Sequence, residues 1–319
     1  RKGLDIHLTG KVESTQVTSL KSKKYAVVPD SFGGVIPKVL VREGDHVKTG
    51  DALFVNKRYP EEKFASPVSG EVTAVVRGDR RKVLSIVIEA DEKQEYIDFG
   101  QRDVETLTGD EVKQALLEAG LFGFIQQLPY AVATTPDTLP RDIFVSAFRD
   151  MPLAADFEVE LKGHEAEFQA GLIALSKMQT THLSVHKCQT ATALLQAKGV
   201  ELHVIDGKCP AGNVGIQINH IAPVNKGEVV WTVDPAVVIM IGRLFLTGKV
   251  DLRRVIAVAG SEVNHPTYVE ALVGTPLAVV LDGQLKHTAH VRVINGNPLT
   301  GTKTTLDGVV GAHTSEITV

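Results

Sequence analysis

The spacing of apolar residues changes along the chain and predicts different kinds of structure in turn. From residue 25 to about residue 90, short apolar runs are separated by turns rich in Gly, Pro and Asp, which is typical of β-strands. A helical period follows, because Val112 and Leu116 fall on one face and Thr108 can cap the helix ahead of Glu111. A second domain therefore begins near residue 100.

Beyond this boundary, strand-like and helical runs alternate up to about residue 250, which favours a parallel sheet with crossover helices. The strand-like runs are "DIFVSAF", "THLSVHK", "VELHVI" and "VVWTV", and the helical runs are "EAEFQAGLIALSKM", "CQTATALLQAKG" and "DPAVVIMIGRLFLTG". After residue 251, short strands return around one brief helical stretch. We therefore predict three domains: 1–98, which includes an N-terminal extension, 99–252 and 253–319.

Bulk properties exclude several classes of protein. A length of 319 residues exceeds what one core usually reaches, and a net charge of −4 provides no basic surface for nucleic acid. Only Cys188 and Cys209 are present, too few for a disulfide framework or an iron–sulfur cluster. The longest apolar stretch, 229–248, is interrupted by Asp234 and Arg243 and is a poor membrane span. With no secretory signal at the start, we expect a protein that is soluble or peripheral to a membrane.

The segment "LVREGDHVKTGDALFV" (40–55) has the strand and turn pattern of half a lipoyl or biotin carrier domain. It pairs with "ASPVSGEVTAVV" (65–76), and together the two match the facing halves of a barrel-sandwich fold. A carrier also needs a lysine at the hairpin between these halves. Tyr59 stands at the expected position, and none of the neighbouring basic residues is predicted at the hairpin tip; these are Lys57, Arg58 and Lys63. We therefore predict the scaffold without a lipoyl or biotinyl group.

Two glycine-containing stretches resemble phosphate-binding loops. In "GNPLTGTKT" (296–304), Thr302 separates the second glycine from the lysine, and no upstream strand or downstream helix is predicted, so a turn is favoured. "GKCPAGNVG" (207–215) follows a strand, where a nucleotide would bind, but it lacks the G-x-G-x-x-G spacing. Neither stretch predicts a nucleotide site.

Histidines at positions 182 and 186 raise the question of a metal site. On a helix, His182 and His186 would share a face and could ligate zinc. They alternate with Leu183 and Val185, however, which favours a strand with one exposed polar face, and no Glu is expected beside them. We predict no metal site, and no catalytic residue is assigned.

The order of the three domains resembles that in the A subunit of the bacterial Na+-translocating NADH:quinone reductase. The similarity covers essentially the whole chain and is strongest at "KGLDIHLTG", "VVPDSFGGVIPKVLVREGDHVKTGDALF" and "INGNPLTG". It implies an N-terminal barrel-sandwich hybrid, a Rossmann-like α/β domain and a C-terminal β-grasp domain. The C subunit of the Rnf electron-transfer complex and the flavin-binding subunit of complex I share the middle architecture. Family members continue with a C-terminal helical segment, so the resemblance implies a truncated chain.

The glycine loop with which such flavin-binding relatives hold FMN and NADH is altered here. Their loop is of the type G-x-G-G-x-G-F-P, whereas "AGLFGFIQQLPY" (119–130) keeps only Gly120 and Gly123. Phe122 and Phe124 occupy positions where backbone would approach the flavin. We therefore predict no cofactor in this chain, and the resemblance implies that FMN, FAD, riboflavin and iron centres belong to partner subunits.

The resemblance implies a peripheral subunit on the cytoplasmic face of the bacterial inner membrane. The complex would pass electrons from NADH to ubiquinone while sodium is exported. The main partner would be a membrane subunit, and the isolated chain would not be catalytic. The alternative is a non-catalytic assembly subunit of an Rnf-like complex that binds no ligand.

The loop "AFRDMPLAADF" (147–157) follows a predicted strand and is unusually apolar for a connection. Phe148 and Met151 could form the walls of a quinone site, and Arg149 or Asp150 could hydrogen-bond a quinone oxygen. Packing of the loop against a neighbouring domain explains the same residues, and both interpretations stay open.

Overall fold

The computed structural model describes residues 3–319, and four β-sheets are formed by this part of the chain. Its strands are, in chain order, β1 (Val17–Ser19), β2 (Lys24–Val27), β3 (Pro37–Val39), β4 (His46–Val47), β5 (Ala52–Asn56), β6 (Tyr59–Ala65), β7 (Gly70–Arg77), β8 (Val83–Ala90), β9 (Gln126–Leu128), β10 (Val132–Ala133), β11 (Ile143–Ser146), β12 (Thr181–His186), β13 (Glu201–Ile205), β14 (Val230–Thr232), β15 (Arg253–Ala259), β16 (Thr267–Leu272), β17 (Val293–Asn295), β18 (Thr302–Thr304) and β19 (Glu316–Thr318).

The α-helices cluster in the middle of the chain. They are α1 (Gly109–Glu118), α2 (Phe157–Leu161), α3 (Glu165–Met178), α4 (Thr192–Leu195), α5 (Val214–Ile221), α6 (Pro235–Thr247) and α7 (Leu277–Val280). Within residues 3–319, none of them is long and apolar enough to cross a membrane.

The N-terminal third contains two small sheets whose buried residues share one core. One sheet has the order β2-β8-β7-β4 and the other the order β3-β5-β6. Gly44 and Gly50 stand in the turns on either side of β4 with φ angles of 90° and 97°, a backbone conformation that favours glycine. In the core, the Phe54 and Phe64 rings stack at 4.5 Å. The glycine turns and apolar runs of the sequence thus produce the two predicted halves of the barrel-sandwich fold.

The hairpin tip between β5 and β6 corrects one expectation. Lys57 and Arg58 form the two-residue turn, and Lys57 is exposed there, so the prediction that no lysine occupies the tip is wrong. The β5–β6 pairing contains register shifts, so spacing along the sequence did not locate the tip. Tyr59 begins β6 instead, and its hydroxyl donates a hydrogen bond to Asp137 Oδ2 at 2.8 Å. The absence of a lipoyl or biotinyl group stays a prediction.

The middle of the chain forms a six-stranded sheet in the order β10-β9-β14-β11-β12-β13. Strands β14, β11, β12 and β13 are parallel neighbours, whereas β9 pairs antiparallel with β14. The predicted alternation of strands and helices is therefore confirmed. Because β12 and β14 lie on opposite sides of β11, the order of the sheet reverses between β11 and β14.

Two glycines allow α3 and α6 to pack closely. A Cβ on Gly171 would overlap the backbone carbonyl of Val238, and a Cβ on Gly242 would overlap that of Glu167. These glycines therefore set the separation of the two helices.

Local signals specify some helix ends but not all helices. The predicted capping box of α1 is present, because Thr108 Oγ1 accepts from Glu111 N and the Glu111 carboxylate accepts from Thr108 N. The helix predicted over "CQTATALLQAKG" is much shorter than expected, since α4 has only four residues. A carboxylate oxygen of Glu158 accepts from the backbone N–H groups of Thr190 and Ala191, which holds this segment extended before α4.

The C-terminal part forms a second six-stranded sheet in the order β1-β16-β15-β19-β17-β18. Its first strand comes from the beginning of the chain, and β1 pairs parallel with β16 from Val17 opposite Tyr268. The segment before β1 also contacts the middle of the chain, where Leu4 N donates to Cys209 O at 3.0 Å. The N-terminal residues therefore bridge the other two parts of the molecule.

A glutamate is buried in the first domain. Glu62 on β6 is 0% exposed, and its Oε1 accepts from Asn56 Nδ2 at 3.1 Å. Its Oε2 has no hydrogen-bond partner among the described residues. Burial, which disfavours the charged carboxylate, raises the pKa of Glu62 to about 7.

We expect this glutamate to make the stability pH-dependent. Its pKa is higher in the folded state than the 4.5 of an ordinary glutamate, so its contribution is complete below about 4.5 and is lost as the pH rises through about 7. Relative to Glu62→Gln, the wild-type free energy of unfolding should fall by up to about 3 kcal/mol between pH 4.5 and 8. Urea unfolding at several pH values measures this difference. The exposed neighbour variant Glu61→Gln is the control, and parallel pH profiles for wild type and Glu62→Gln would contradict the prediction.

Candidate functional site

A cleft of about 300 Å³ opens at the carboxyl ends of β11 and β14, where the strand order reverses. The strands contribute Ser146 and Thr232 to its wall, and Asn213 caps helix α5 beside them. The opposite wall comes from the C-terminal part of the chain and includes Asn297, Thr300, His313, Ser315 and Glu316. Ligands of open parallel sheets bind outside the carboxyl ends of the strands at such a reversal.

The loop after β11 brings together the four residues that the sequence suggested for quinone binding. All four line the cleft: Phe148, Arg149, Asp150 and Met151. The Phe148 ring is buried, with its centroid 5.3 Å from that of His186. Met151 Sδ lies 3.7 Å from Cys209 Sγ. The apolar members therefore pack against neighbouring loops and also face open volume.

The two charged members differ in how far they are already paired. Asp150 Oδ2 accepts from Gly212 N at 2.7 Å, so this carboxylate holds the loop that precedes α5. Arg149 Nη2 lies 3.4 Å from Asp234 Oδ1, while Arg149 Nη1 is buried without a hydrogen-bond partner among the described residues. Arg149 therefore keeps an N–H group that can donate a hydrogen bond to a ligand, whereas Asp150 already accepts one from Gly212.

Buried charges surround this arginine. Burial opposes the charge of Arg149, but nearby carboxylates, Asp234 foremost, outweigh it and raise its pKa above the usual value. Burial also disfavours the charge of Asp234, but Arg149, Arg254 and His313 hold its pKa below the usual range. Burial lowers the pKa of His313. The wall of the cleft therefore carries a fixed cation beside a fixed anion, and the free Nη1 favours a ligand oxygen with partial negative charge.

The same loop separates the cleft from a second groove of about 620 Å³. The far wall of this groove is formed by residues 5–8 and 11–15 and by Tyr268. Phe148, Arg149, Asp150 and Met151 line both spaces, so the loop is a thin partition between them.

The segment that replaces the flavin loop is used for core packing. Phe122 lies edge-on to Trp231 at 5.6 Å, and Phe124 lies 5.1 Å from Phe32 of the first domain. Gly120 has a φ of 73°, and a Cβ on it would lie 2.5 Å from the backbone nitrogen of Ala65. Gly123 faces the Phe64 ring in the same way. Both glycines are therefore needed for contact with the first domain, and only Gln126 of this segment reaches the cleft.

Residues on both glycine-containing stretches reach the cleft, which the sequence did not indicate. Gly212 and Asn213 of "GKCPAGNVG" lie at its rim. "GNPLTGTKT" follows β17 directly and ends in β18, so the prediction of no upstream strand is wrong, although a turn is present as expected. Its Asn297 and Thr300 line the cleft because the C-terminal sheet packs against the middle domain there. Thr232 could have been identified from the sequence, because ligands bind outside the carboxyl ends of parallel strands. The position of Asn297, in contrast, depends on how the domains pack.

The two histidines of β12 do not lie on an exposed face. His182 is 6% exposed and stacks on Phe144, which packs with Ile218 of α5. The expected exposed polar face is therefore wrong, because the rings of Phe144 and His203 stack on His182. The expectation of no neighbouring glutamate is also wrong, since Glu201 Oε2 lies 3.3 Å from His182 Nδ1. His186 lies at the other end of the strand, beside Phe148.

Comparison with known families matches the chain in three consecutive parts. Residues 1–91 match the NqrA N-terminal barrel-sandwich hybrid domain, residues 107–250 the NqrA second alpha/beta domain, and residues 255–305 the NQRA C-terminal domain. The predicted barrel-sandwich hybrid is thereby confirmed.

Similar proteins carry the same name. The A subunit of the Na(+)-translocating NADH-quinone reductase of Neisseria meningitidis serogroup B (strain ATCC BAA-335 / MC58) is 35% identical over 318 residues, which cover 98% of this chain and 69% of that protein. The A subunit of the Haemophilus influenzae (strain PittGG) enzyme is 34% identical over 306 residues, covering 94% and 68%. A solved NAD+-reducing [NiFe]-hydrogenase in the air-oxidized state has 16% identity and a TM-score of 0.48, covering 69% of this chain and 48% of its own.

Proposed function

Because the chain belongs to the family of the A subunits of Na+-translocating NADH-quinone reductases, we propose that it works as a peripheral subunit that supports quinone reduction coupled to sodium export. The observation that carries this proposal is the similarity to named A subunits along nearly the whole chain. The chemistry of electron transfer belongs to FMN, FAD, riboflavin and iron centres in partner subunits. The partner is a membrane subunit, and the chain sits on the cytoplasmic face of the inner membrane.

We further propose finer assignments for the architecture. The reversal of strand order at β11 supports a Rossmann-like middle domain. The mixed sheet that packs around α7 supports a β-grasp type for the C-terminal domain. We retain the boundaries 1–98, 99–252 and 253–319 for the three domains. Strand β1 lies in the first of these ranges but pairs with β16 in the sheet of the third domain.

The cleft is the place we propose for the quinone ring. Its volume of about 300 Å³ lies at the lower end of small-molecule pockets. Phe148 and Met151 offer an aromatic and a polarizable wall, which suits a flat conjugated ring. Arg149 Nη1 supplies a hydrogen bond to a quinone oxygen, since it has no other partner among the described residues. The competing function is an assembly subunit without a ligand, in which the same loop serves only packing.

Quinone binding to the soluble chain tests this site. The single tryptophan, Trp231, directly precedes Thr232 of the cleft wall, so a short-chain ubiquinone bound there should quench its fluorescence. We expect Phe148→Ala and Met151→Ala to weaken binding roughly tenfold to a hundredfold, the loss of one buried apolar contact each. Turnover of the reassembled complex with NADH and quinone should fall in parallel.

Matched truncations away from the cleft serve as controls. Phe99→Ala and Met178→Ala truncate side chains of the same two types away from the cleft, and they should leave quinone affinity unchanged. Unaltered affinity and turnover in folded Phe148→Ala and Met151→Ala variants would place the quinone outside this loop. No quenching of the wild-type chain would favour the ligand-free assembly role.

A further inference from the structure

Three side chains with metal-binding atoms converge at the outer edge of the middle sheet. Strands β12 and β13 are parallel there, with His182 opposite Glu201 and Ser184 opposite His203. This register places the two histidines and the glutamate on one face. His182 Nδ1 lies 2.9 Å from His203 Nε2 and 3.3 Å from Glu201 Oε2, and all three ligand atoms lie within 4.8 Å of one another.

The two separations from His182 are close to the edges of a tetrahedral zinc site. Two ligand atoms that each lie about 2.0–2.1 Å from the metal at a tetrahedral angle are about 3.3 Å apart. The His182–Glu201 distance already has this value, and the two histidine nitrogens need to separate by only a few tenths of an ångström. Two imidazoles and one carboxylate leave a fourth position open for water, as in other three-ligand zinc sites.

A second observation concerns the other nitrogen of His182. His182 Nε2 is buried, has no hydrogen-bond partner among the described residues, and lies 3.6 Å from Asp142 Oδ1. A metal-bound histidine usually directs its remaining ring N–H to a carboxylate, which fixes the tautomer and the ring orientation. The ring is also held by Phe144, which stacks on it at 4.6 Å with an interplanar angle of 10°. Asp142 and Phe144 therefore orient Nδ1 of His182 toward the other two ligands.

We propose that His182, Glu201 and His203 form a binding site for a zinc-class divalent metal ion. The nitrogen-rich donor set selects Zn²⁺, Co²⁺ or Ni²⁺ over Mg²⁺ and Ca²⁺, which prefer oxygen ligands. The exposed Glu201 gives the ion access from solvent. Because β13 is an edge strand, a bound ion fastens it to β12. The site lies toward the amino ends of these strands, so it is independent of the cleft at the carboxyl end of β11 and β14.

Metal titration of the full chain without a polyhistidine tag tests the site. We expect one equivalent of Zn²⁺ by calorimetry, and one equivalent of Co²⁺ with the visible absorption of a tetrahedral complex. Mg²⁺ should produce no heat. Glu201→Gln and His203→Gln should each weaken Zn²⁺ binding at least tenfold and abolish the Co²⁺ bands. Asp142→Asn, which replaces the orienting carboxylate and also removes its ion pair with Arg141, should weaken binding by about 10- to 100-fold.

The exposed pair of His46 and Asp91, 2.7 Å apart in the first domain, provides a matched control. His46→Gln should bind Zn²⁺ and Co²⁺ like the wild type. Glu201 is exposed, so Glu201→Gln keeps the test open even if a histidine variant fails to fold. The proposal is overturned if the wild type takes up no equivalent of Zn²⁺ or Co²⁺, or if Glu201→Gln and His203→Gln bind both ions as tightly as the wild type.

Discussion

Replacing Arg254 with methionine should lower the free energy of unfolding by about 3–5 kcal/mol, the usual loss when one partner of a buried ion pair is removed. Arg254 on β15 is fully buried and donates from Nη1 to Ala312 O at 2.8 Å. Its Nη2 lies 3.6 Å from Glu160 Oε1 and 3.9 Å from Asp234 Oδ1. Methionine fills much of the volume but leaves these buried carboxylates without the guanidinium.

The neighbouring residue provides the control for this substitution. Arg253 is half exposed and pairs with Asp251 at 2.6 Å, so Arg253→Met should change stability by no more than about 1 kcal/mol. Urea unfolding followed by circular dichroism compares the two variants. Equal losses from both would mean that the buried network around Arg254 contributes nothing specific.

A second large effect is expected at the aromatic contact between the first and middle domains. Phe64 is 1% exposed, stacks on Phe54 at 4.5 Å and lies 4.6 Å from Phe32. Its edge also covers Gly123 of the segment that replaces the flavin loop. Phe64→Ala should therefore cost about 3–5 kcal/mol of unfolding free energy, because the cavity left between two domains cannot close easily.

The half-buried Phe99 provides the same truncation outside this cluster. Phe99→Ala should cost clearly less, and thermal and urea unfolding of both variants measure the difference. A smaller loss for Phe64→Ala than for Phe99→Ala would show that the interdomain cluster is not a main source of stability.

Local signals in the sequence were sufficient for much of the fold. The capping box of Thr108 and Glu111 involves residues three apart, and it formed as predicted. The helix predicted over residues 165–178 also formed, since its apolar positions have a helical period. Where the predicted secondary structure was wrong, contacts between residues distant in the sequence are the reason. Glu158 captures the backbone of Thr190 and Ala191, which no local pattern reveals.

The candidate sites divide in the same way. The loop at Phe148 could be found because it follows a strand at the carboxyl edge of a parallel sheet. The opposite wall at His313 and Glu316 could not, since it is set by the packing of one sheet on another. His182 and His203 are 21 residues apart, and only the register of β12 on β13 brings them together.

The pairing of β1 with β16 has a consequence for biosynthesis. The side chains of Ser19 and Glu270, which join these strands, are 251 residues apart in the sequence. At about 5–20 residues per second, β1 leaves the ribosome roughly 10–50 s before β16 is made. The C-terminal sheet can therefore be completed only after β16 has been translated. Until then, β1 must not pair with other strands.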